Sequence, residues 1–382
     1  MGNESTLPIF LNQKGLLMKI SLSTPIIKPV NFACNLSCSY CYTKGINDHR
    51  SENFKIMSNS TLGRVINFFC SEREYTEFIW HGGEPLLAGL NFYEEAIRYQ
   101  LPWIRKGKKI ANSIQSNGTL LDEKWVDFFR TNNFRVGVSI DGIPEHHNEM
   151  RKYKDGTGSF NDVMMGIKLL QEADIFSGII CCVNTYNHRF PIETLNFFVS
   201  NGIKKLKFNR IRGKLNKVRV PDGSISFEKY ITFLLSILDY WIEIDDTELE
   251  IRELQCIIEL MLGGVTRDCV ISGECHKYCT VYSDGSIYSC DSFPKREDLR
   301  FGTVIDTPEG IKTSITFQKF LTLLNAMRNQ CDTCEWYNIC RGGCLQDWHL
   351  DTSDNSYKNT YCKDQKKLFE AIRLILTAYG LI

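Results

Sequence analysis

The chemistry this sequence advertises is sulfur chemistry. Cys34-Asn-Leu-Ser-Cys38-Ser-Tyr-Cys41 puts three cysteines within eight residues, at gaps short enough for a single loop. Three thiolates are one short of a closed site. On a four-iron cluster with one ligand per iron they leave one iron open, and an open position is what catalysis at a metal requires. A lone Cys-x-x-Cys would point to a zinc loop or to small buried residues; the two gaps together, with aromatic Tyr40 between them, point away from both.

A second set follows. Of the 16 cysteines, nine lie between Cys269 and Cys362. Cys275, Cys290, Cys331-x2-Cys334-x5-Cys340-x3-Cys344 and Cys362 form seven cysteines at fixed gaps, and Cys269 adds an eighth thiol. In a reducing compartment such cysteines bind metal more readily than they form disulfides. This stretch is rich in turn residues and poor in hydrophobic pattern, so a metal must do the work of a core. Four thiolates suit a closed iron–sulfur cluster or a tetrahedral zinc. The remaining Cys70, Cys181, Cys182, Cys256 and Cys279 are expected to be small apolar residues. Cys181 and Cys182 are strand neighbours and face opposite sides.

These residues need a frame. Six β-rich segments, 28–33, 76–81, 112–115, 135–140, 177–184 and 205–211, alternate with helical periodicity at 60–69, 91–99, 122–130, 159–172 and 191–199. Such alternation predicts right-handed βαβ units, a parallel sheet and, with six strands, a partial α/β barrel whose catalytic groups sit at the C-terminal strand ends. Helices are expected over 227–244 and 248–262, and a hairpin with an Asp284-Gly285 turn joins 280–283 to 286–289. The expected organisation is an N-terminal extension over 1–27, the barrel over 28–225, a helical bridge over 226–265 and a small cysteine-rich domain over 266–382.

Composition excludes some functions. The chain has 382 residues, 43% of them hydrophobic, with 45 basic and 45 acidic side chains, so no global field recruits nucleic acid or a membrane surface. The start lacks the basic, apolar and small-residue order of an export signal despite an apolar patch at 16–20, and no apolar run approaches about 18 residues; a cytoplasmic location is expected. The stretch 204–219 carries eight basic and no acidic residues, which reads as a solvated loop or as an attraction for an acidic leader peptide.

The first motif resembles the radical S-adenosylmethionine (SAM) superfamily, whose cluster cysteines Cys34, Cys38 and Cys41 match at every spacing. Trp80-His81-Gly82-Gly83-Glu84-Pro85, Gln115-Ser-Asn117-Gly-Thr119 and Val138-Ser139-Ile-Asp141-Gly142 match it further. The resemblance implies a 4Fe-4S cluster whose open iron chelates SAM and cleaves it to a 5′-deoxyadenosyl radical, with SAM contacts at Tyr40, Gly82, Gly83, Glu84, Asn117, Ser139 and Arg151. The second set resembles the SPASM extension of peptide-modifying relatives. It implies two more 4Fe-4S clusters, one on Cys269, Cys275, Cys290 and Cys344, the other on Cys331, Cys334, Cys340 and Cys362.

The resemblance runs from about residue 28 to the C-terminal helix, and 89–100 and 122–142 are typical of anaerobic sulfatase-maturating enzymes. In those enzymes an aspartate at the position of Asp291 is the base that deprotonates the substrate, which implies that role here; a hairpin turn residue is the alternative. They typically carry glutamine before Gly-Gly-Glu, whereas this chain has His81, as in maturases of ribosomally made peptides that form cross-links such as cyclophanes at β-carbons. The resemblance therefore favours a precursor peptide as partner, with a flavodoxin- or ferredoxin-type electron donor. Formylglycine formation on a sulfatase cysteine or serine is the alternative, and a non-catalytic electron-transfer or zinc protein is the reading of another class. With about 27 residues before the first strand, no separate winged-helix leader-binding domain is expected there.

Overall fold

In the computed structural model, residues 22–44, 54–211, 222–266, 268–293, 295–351, 356–359 and 361–382 are described. The apolar patch at 16–20 and half of the basic run lie outside them.

One 10-stranded sheet organises the molecule. Strands β1 (Thr24–Ile27), β2 (Tyr75–Trp80), β3 (Lys109–Ser116), β4 (Phe134–Ser139), β5 (Phe176–Val183), β6 (Lys205–Arg210) and β7 (Glu250–Ile251) pair in parallel, each with the next. On the other side of β1 lie β8 (Tyr278–Val281), β9 (Ser286–Tyr288) and β10 (Arg300–Thr303). β8 runs parallel to β1, with Ile26 opposite Thr280, and only β8–β9 and β9–β10 are antiparallel. The hairpin of the cysteine-rich region thus continues the sheet of the barrel. β7 and β10 are the two edges, so the parallel array is α/β and open rather than closed. A separate pair, β11 (Trp348–Asp351) and β12 (Ser356–Asn359), stands apart from it.

Period-two alternation selects the face each strand buries. In β2, Thr76, Phe78 and Trp80 are buried against the helices while Tyr75, Glu77 and Ile79 point the other way. Helix Asn59–Ser71 begins at Ser58, whose side chain accepts from Thr61 N, and it buries Leu62, Val65, Ile66 and Phe69. Trp80, Tyr93, Trp125, Phe129 and Phe134 form a run of edge-on and stacked rings under the sheet.

Two expectations are corrected. The first strand is Thr24–Ile27, and residues 28–33 are turns: Asn31 adopts φ 55° and Pro29 has no N–H to give a ladder. The apolar residues there are buried all the same, Val30 and Ala33 in the main core and Phe32 against the hairpin's Tyr282, so the run looks like a strand. The segment expected as helix from 248 instead opens with β7 and becomes helix only at Arg252–Met261. Among the described residues no helix is long and apolar enough to cross a membrane.

Candidate active site

The three-cysteine loop follows β1 by a tight route that the Gly-Gly-Glu segment after β2 supports. Gly83 N donates to Asn31 O at 3.0 Å and Glu84 N to Ala33 O at 2.7 Å. A Cβ on Gly83 would meet Ala33 O at 1.9 Å, and Gly82 sits at φ +139° with Asn31 O 2.7 Å from its would-be Cβ. The two glycines are therefore required by the chain's own cysteine loop. Glu84 is fully buried, and its carboxylate accepts from Leu86 N (3.0 Å), Ser116 Oγ (2.9 Å) and Asn117 N (2.8 Å). Burial pushes it up to about 7 against the pull of those three donors.

The loop is closed on its other side by the segment after β4. Ser37 N donates to Lys152 O at 2.7 Å and Ser39 N to Met150 O at 2.9 Å. Tyr40 OH donates to Asp141 Oδ2 at 2.7 Å, and Arg151 Nε donates to the same oxygen at 2.9 Å. Asp141 Oδ1 accepts from Cys182 N at 2.9 Å. Arg151 lies 5.4 Å from the Tyr40 ring centroid. Asn117 Nδ2 donates to Cys34 Sγ at 3.7 Å and to Asn35 Oδ1 at 2.8 Å, and Leu36 N donates to Cys34 Sγ at 3.4 Å. Ser139 Oγ accepts from Gln115 Nε2 at 3.1 Å. Tyr40, Glu84, Asn117 and Arg151 thus surround the cysteine loop, whereas Ser139 meets only Gln115 among its hydrogen-bond partners given by the described residues.

The thiols crowd one another. Burial pushes Cys38 up to about 12, with nearby Arg151 opposing and Cys41 adding to the rise. Burial likewise raises Cys34, reinforced by Glu84, Cys38 and Cys41. Farther along, Cys269 is raised by burial, then by Asp268 and by Cys275, Cys290 and Cys344. Cys340 is pushed up to about 12 by burial, with Cys331, Cys362 and Cys334 contributing. Cys275, Cys290 and Cys344 thus lie near Cys269, and Cys331, Cys334 and Cys362 near Cys340.

Between the three-cysteine loop and the first quartet lies a fourth group. Asp291, next to Cys290, pairs with buried Lys28 and accepts from Tyr42 OH at 2.6 Å and from His81 Nδ1 at 2.8 Å. Burial works to raise its carboxyl, but Lys28 and His81 outweigh that and hold it well below the usual carboxylate range. Lys28 is ringed by Phe32, Tyr42 and Tyr282 at 4.9, 5.3 and 5.5 Å from the centroids. Asp291 is thus no turn residue on a hairpin surface.

Sequence reasoning missed several of these residues. Lys28 was hidden in a supposed strand, Asp141 was quoted without a role, and Tyr42 carried only the hint of an aromatic beside Cys41. Cys182 corrects an expectation: it is half-buried on the face opposite buried Cys181, and its sulfur accepts from Arg151 at 3.9 Å. Cys70, Cys181, Cys256 and Cys279 are buried as expected. Of the basic run, the four described members are each ion-paired: Lys204 with Glu248 (2.7 Å), Lys205 with Glu250 (3.5 Å), Lys207 with Asp268 (3.1 Å) and Arg210 with Asp347 (2.9 Å). They offer little free charge to an acidic leader.

A parallel open sheet with three loop cysteines beyond its first strand defines a radical enzyme of the SAM-cleaving class, and residues 29–198 match the family model of the radical SAM superfamily. The cysteine-type anaerobic sulfatase-maturating enzyme of Clostridium perfringens is 31% identical over 351 residues, covering 90% of this chain and 95% of that one. Native anSMEcpe with bound AdoMet and Cp18Cys peptide superposes with a TM-score of 0.83 at 30% identity, over 94% of this chain and 99% of that one. Streptococcus suis SuiB bound to precursor peptide SuiA shares the fold, with a TM-score of 0.63 at 14% identity over 90% of this chain and 76% of that one. The chain belongs to the radical SAM maturase family that includes the anaerobic sulfatase-maturating enzymes.

Proposed function

We propose that this chain matures a ribosomally made precursor peptide, removing a hydrogen atom from a side-chain β-carbon and oxidising that side chain to a cross-link such as a cyclophane. The observation that carries this reading is the group Lys28, Tyr42, His81 and Asp291, set between two cysteine clusters where a substrate radical would have to lose an electron and a proton.

Cys34, Cys38 and Cys41 would hold the SAM-cleaving 4Fe-4S cluster, Cys269, Cys275, Cys290 and Cys344 the first auxiliary cluster, and Cys331, Cys334, Cys340 and Cys362 the second. The donor sets fit: crowded, buried thiols need a cationic partner to ionise, and Cys34 already receives two N–H donors. When bound, the first cluster and SAM supply a 5′-deoxyadenosyl radical, fed by a flavodoxin- or ferredoxin-type donor. Tyr40, Gly82, Gly83, Glu84, Asn117, Ser139 and Arg151 form the SAM cradle, which Glu84 stiffens through its three internal hydrogen bonds. Auxiliary clusters held by the two cysteine quartets would supply an electron acceptor, and Asp291, with its partners Lys28, Tyr42 and His81, would lie in the path of the proton that the substrate loses.

The whole-length likeness to sulfatase-maturating enzymes favours a second reading, oxidation of a sulfatase cysteine or serine to formylglycine. Reduced, reconstituted protein with SAM should be given two probes, a short peptide encoded beside the gene and a peptide of the Cp18Cys type. Loss of hydrogen from the first, with 5′-deoxyadenosine formed, is the expected result. Loss of sulfur from the second establishes the alternative, and an untouched SAM pool with both overturns the two together.

A further inference from the structure

Two lysines meet one aromatic cluster, and only one of them has a carboxylate. Phe32 and Tyr282 meet edge to face at 5.5 Å between centroids and, with Tyr288, form a buried cluster apart from the main core. Lys28 Nζ lies 4.9 and 5.5 Å from the Phe32 and Tyr282 centroids, and Lys295 Nζ lies 5.9 and 5.1 Å from the same two. Lys28 is fully buried and its charge is met by Asp291. Lys295 is half-buried, and among the described residues its Nζ forms no ion pair and no hydrogen bond. Asp284, a carboxylate that feels its charge, is turned to Ser286 instead, accepting from its N at 2.9 Å and from its Oγ. An aromatic face attracts an ammonium but leaves its three N–H donors without an oxygen. The backbone adds a second sign. Lys295 sits at φ 46°, where a Cβ is crowded and glycine or asparagine is the ordinary residue. Its N–H donates to Tyr282 OH at 3.0 Å, which fixes the turn against the ring that its own side chain covers. A lysine kept in a conformation that glycine would hold at less cost is there for its side chain.

We propose, resting on the reading above, that Lys295 is a specificity residue for the peptide: its ammonium takes a carboxylate of the substrate, so the peptide carries an acidic group. The site lies beside the Lys28–Asp291 pair, because the two lysines share one pair of rings. Phe32 and Tyr282 follow the C-terminal ends of β1 and β8, the end at which α/β barrels take their substrates. Charge decides the ligand class. Lys28 and Asp291 offset each other, and Lys295 leaves one positive charge on an aromatic surface, where an anion is held more tightly than in water. A neutral or cationic group would leave that ammonium unpaired. The carboxylate can come from an aspartate or glutamate side chain or from the peptide's C-terminus, and both offer the same two oxygens.

The test measures binding rather than turnover. Fluorescein-labelled forms of the two probe peptides, the one encoded beside the gene and the Cp18Cys type, are titrated anaerobically with the reconstituted full chain and SAM and read by anisotropy. Lys295→Met keeps the apolar stem and removes the charge; it should weaken the tighter-binding probe by about ten- to a hundredfold. Changing the acidic residues of that probe to their amides, or amidating its C-terminus, separates the two sources. One of these changes should cost the wild type the same factor and cost Lys295→Met nothing further. Wild-type affinity in Lys295→Met overturns the proposal. A loss that is fully additive with both amide forms also overturns it, since Lys295 then only packs against the rings. Iron content and Tm establish that the variant is folded; if it is not, Lys295→Gly, which suits the positive φ, is read by the same cycle. A wild type that binds neither probe overturns the peptide reading and this inference with it, whereas binding that ignores Lys295 overturns this inference alone.

Discussion

The parallel array and the cysteine-rich region build their sulfur sites by opposite means. Around Cys34, Cys38 and Cys41 the chain supplies a finished mould: Glu84 and Asp141 are fully buried, their oxygens are engaged by hydrogen bonds, and β2 to β5 stand on a continuous aromatic core. Around the two quartets regular structure is scarce, with four-residue helices at Cys269–Ser272 and Tyr337–Cys340 and Cys362 exposed at the start of helix Cys362–Ala378. A preorganised site holds its geometry before the metal arrives, whereas a site of short turns is folded by its metal. Two histidines repeat the contrast. His147, in the barrel, has Nδ1 accepting from Asp141 N at 3.3 Å and Nε2 paired with Ser159 Oγ at 3.0 Å, while buried His276, next to Cys275, leaves Nδ1 without a hydrogen bond.

The comparison can be broken most sharply at its centre. Cys34→Ala should abolish 5′-deoxyadenosine formation and remove about four of about twelve irons per chain, yet shift Tm by no more than a few degrees, because the mould does not depend on the metal; SAM turnover, iron analysis and calorimetry check this. Stripping iron from the wild type with a chelator and oxidant should leave hydrogen-exchange protection in β2 to β5 and abolish it in Cys269–Ser272 and Tyr337–Cys340. Equal loss in both regions would erase the distinction.

Smaller changes sharpen it. Asp141→Ala removes one partner of a buried ion pair and should cost about 3–5 kcal/mol by denaturant unfolding, with Tyr40 and Arg151 released together. Gly83→Ala forces a methyl onto Ala33 O and should cost about 1–3 kcal/mol, with SAM binding weakened because the cysteine loop must shift. The least effect concerns pH. Burial lowers His147 to about 3, with Asp141 opposing and Arg151 assisting, so the unfolded chain binds the extra proton. Stability from this group is full above its unfolded value of about 6.5 and is lost as pH falls toward 3, by a few kcal/mol at most. His147→Gln should flatten the acid limb of a Tm-against-pH curve.

Much of the site was legible in order along the chain because its signals are local. Cysteine gaps, the Gly82-Gly83-Glu84 run and the Asp284-Gly285 turn each depend on a few consecutive residues, and the strands β2 to β6 announced themselves as β-rich segments between helical ones. The first strand failed for a physical reason: a short buried apolar run looks like a strand even where its backbone turns, and Pro29 was a contrary sign. The edge strand β7 is two residues long, too short to carry a period.

The sequence alone determined the chemistry on offer: three thiols at gaps that would leave a cluster one ligand short, eight more at fixed gaps farther along, and a βα frame to carry the first set. Tertiary structure decided which groups meet. Lys28, Tyr42, His81 and Asp291 are separated by as many as 263 positions from Lys28 to Asp291, and they converge only because β8 pairs with β1 and brings Cys290 and its neighbour against the barrel mouth. Pairing register across a sheet is set by burial over its whole width, and no short segment contains that information.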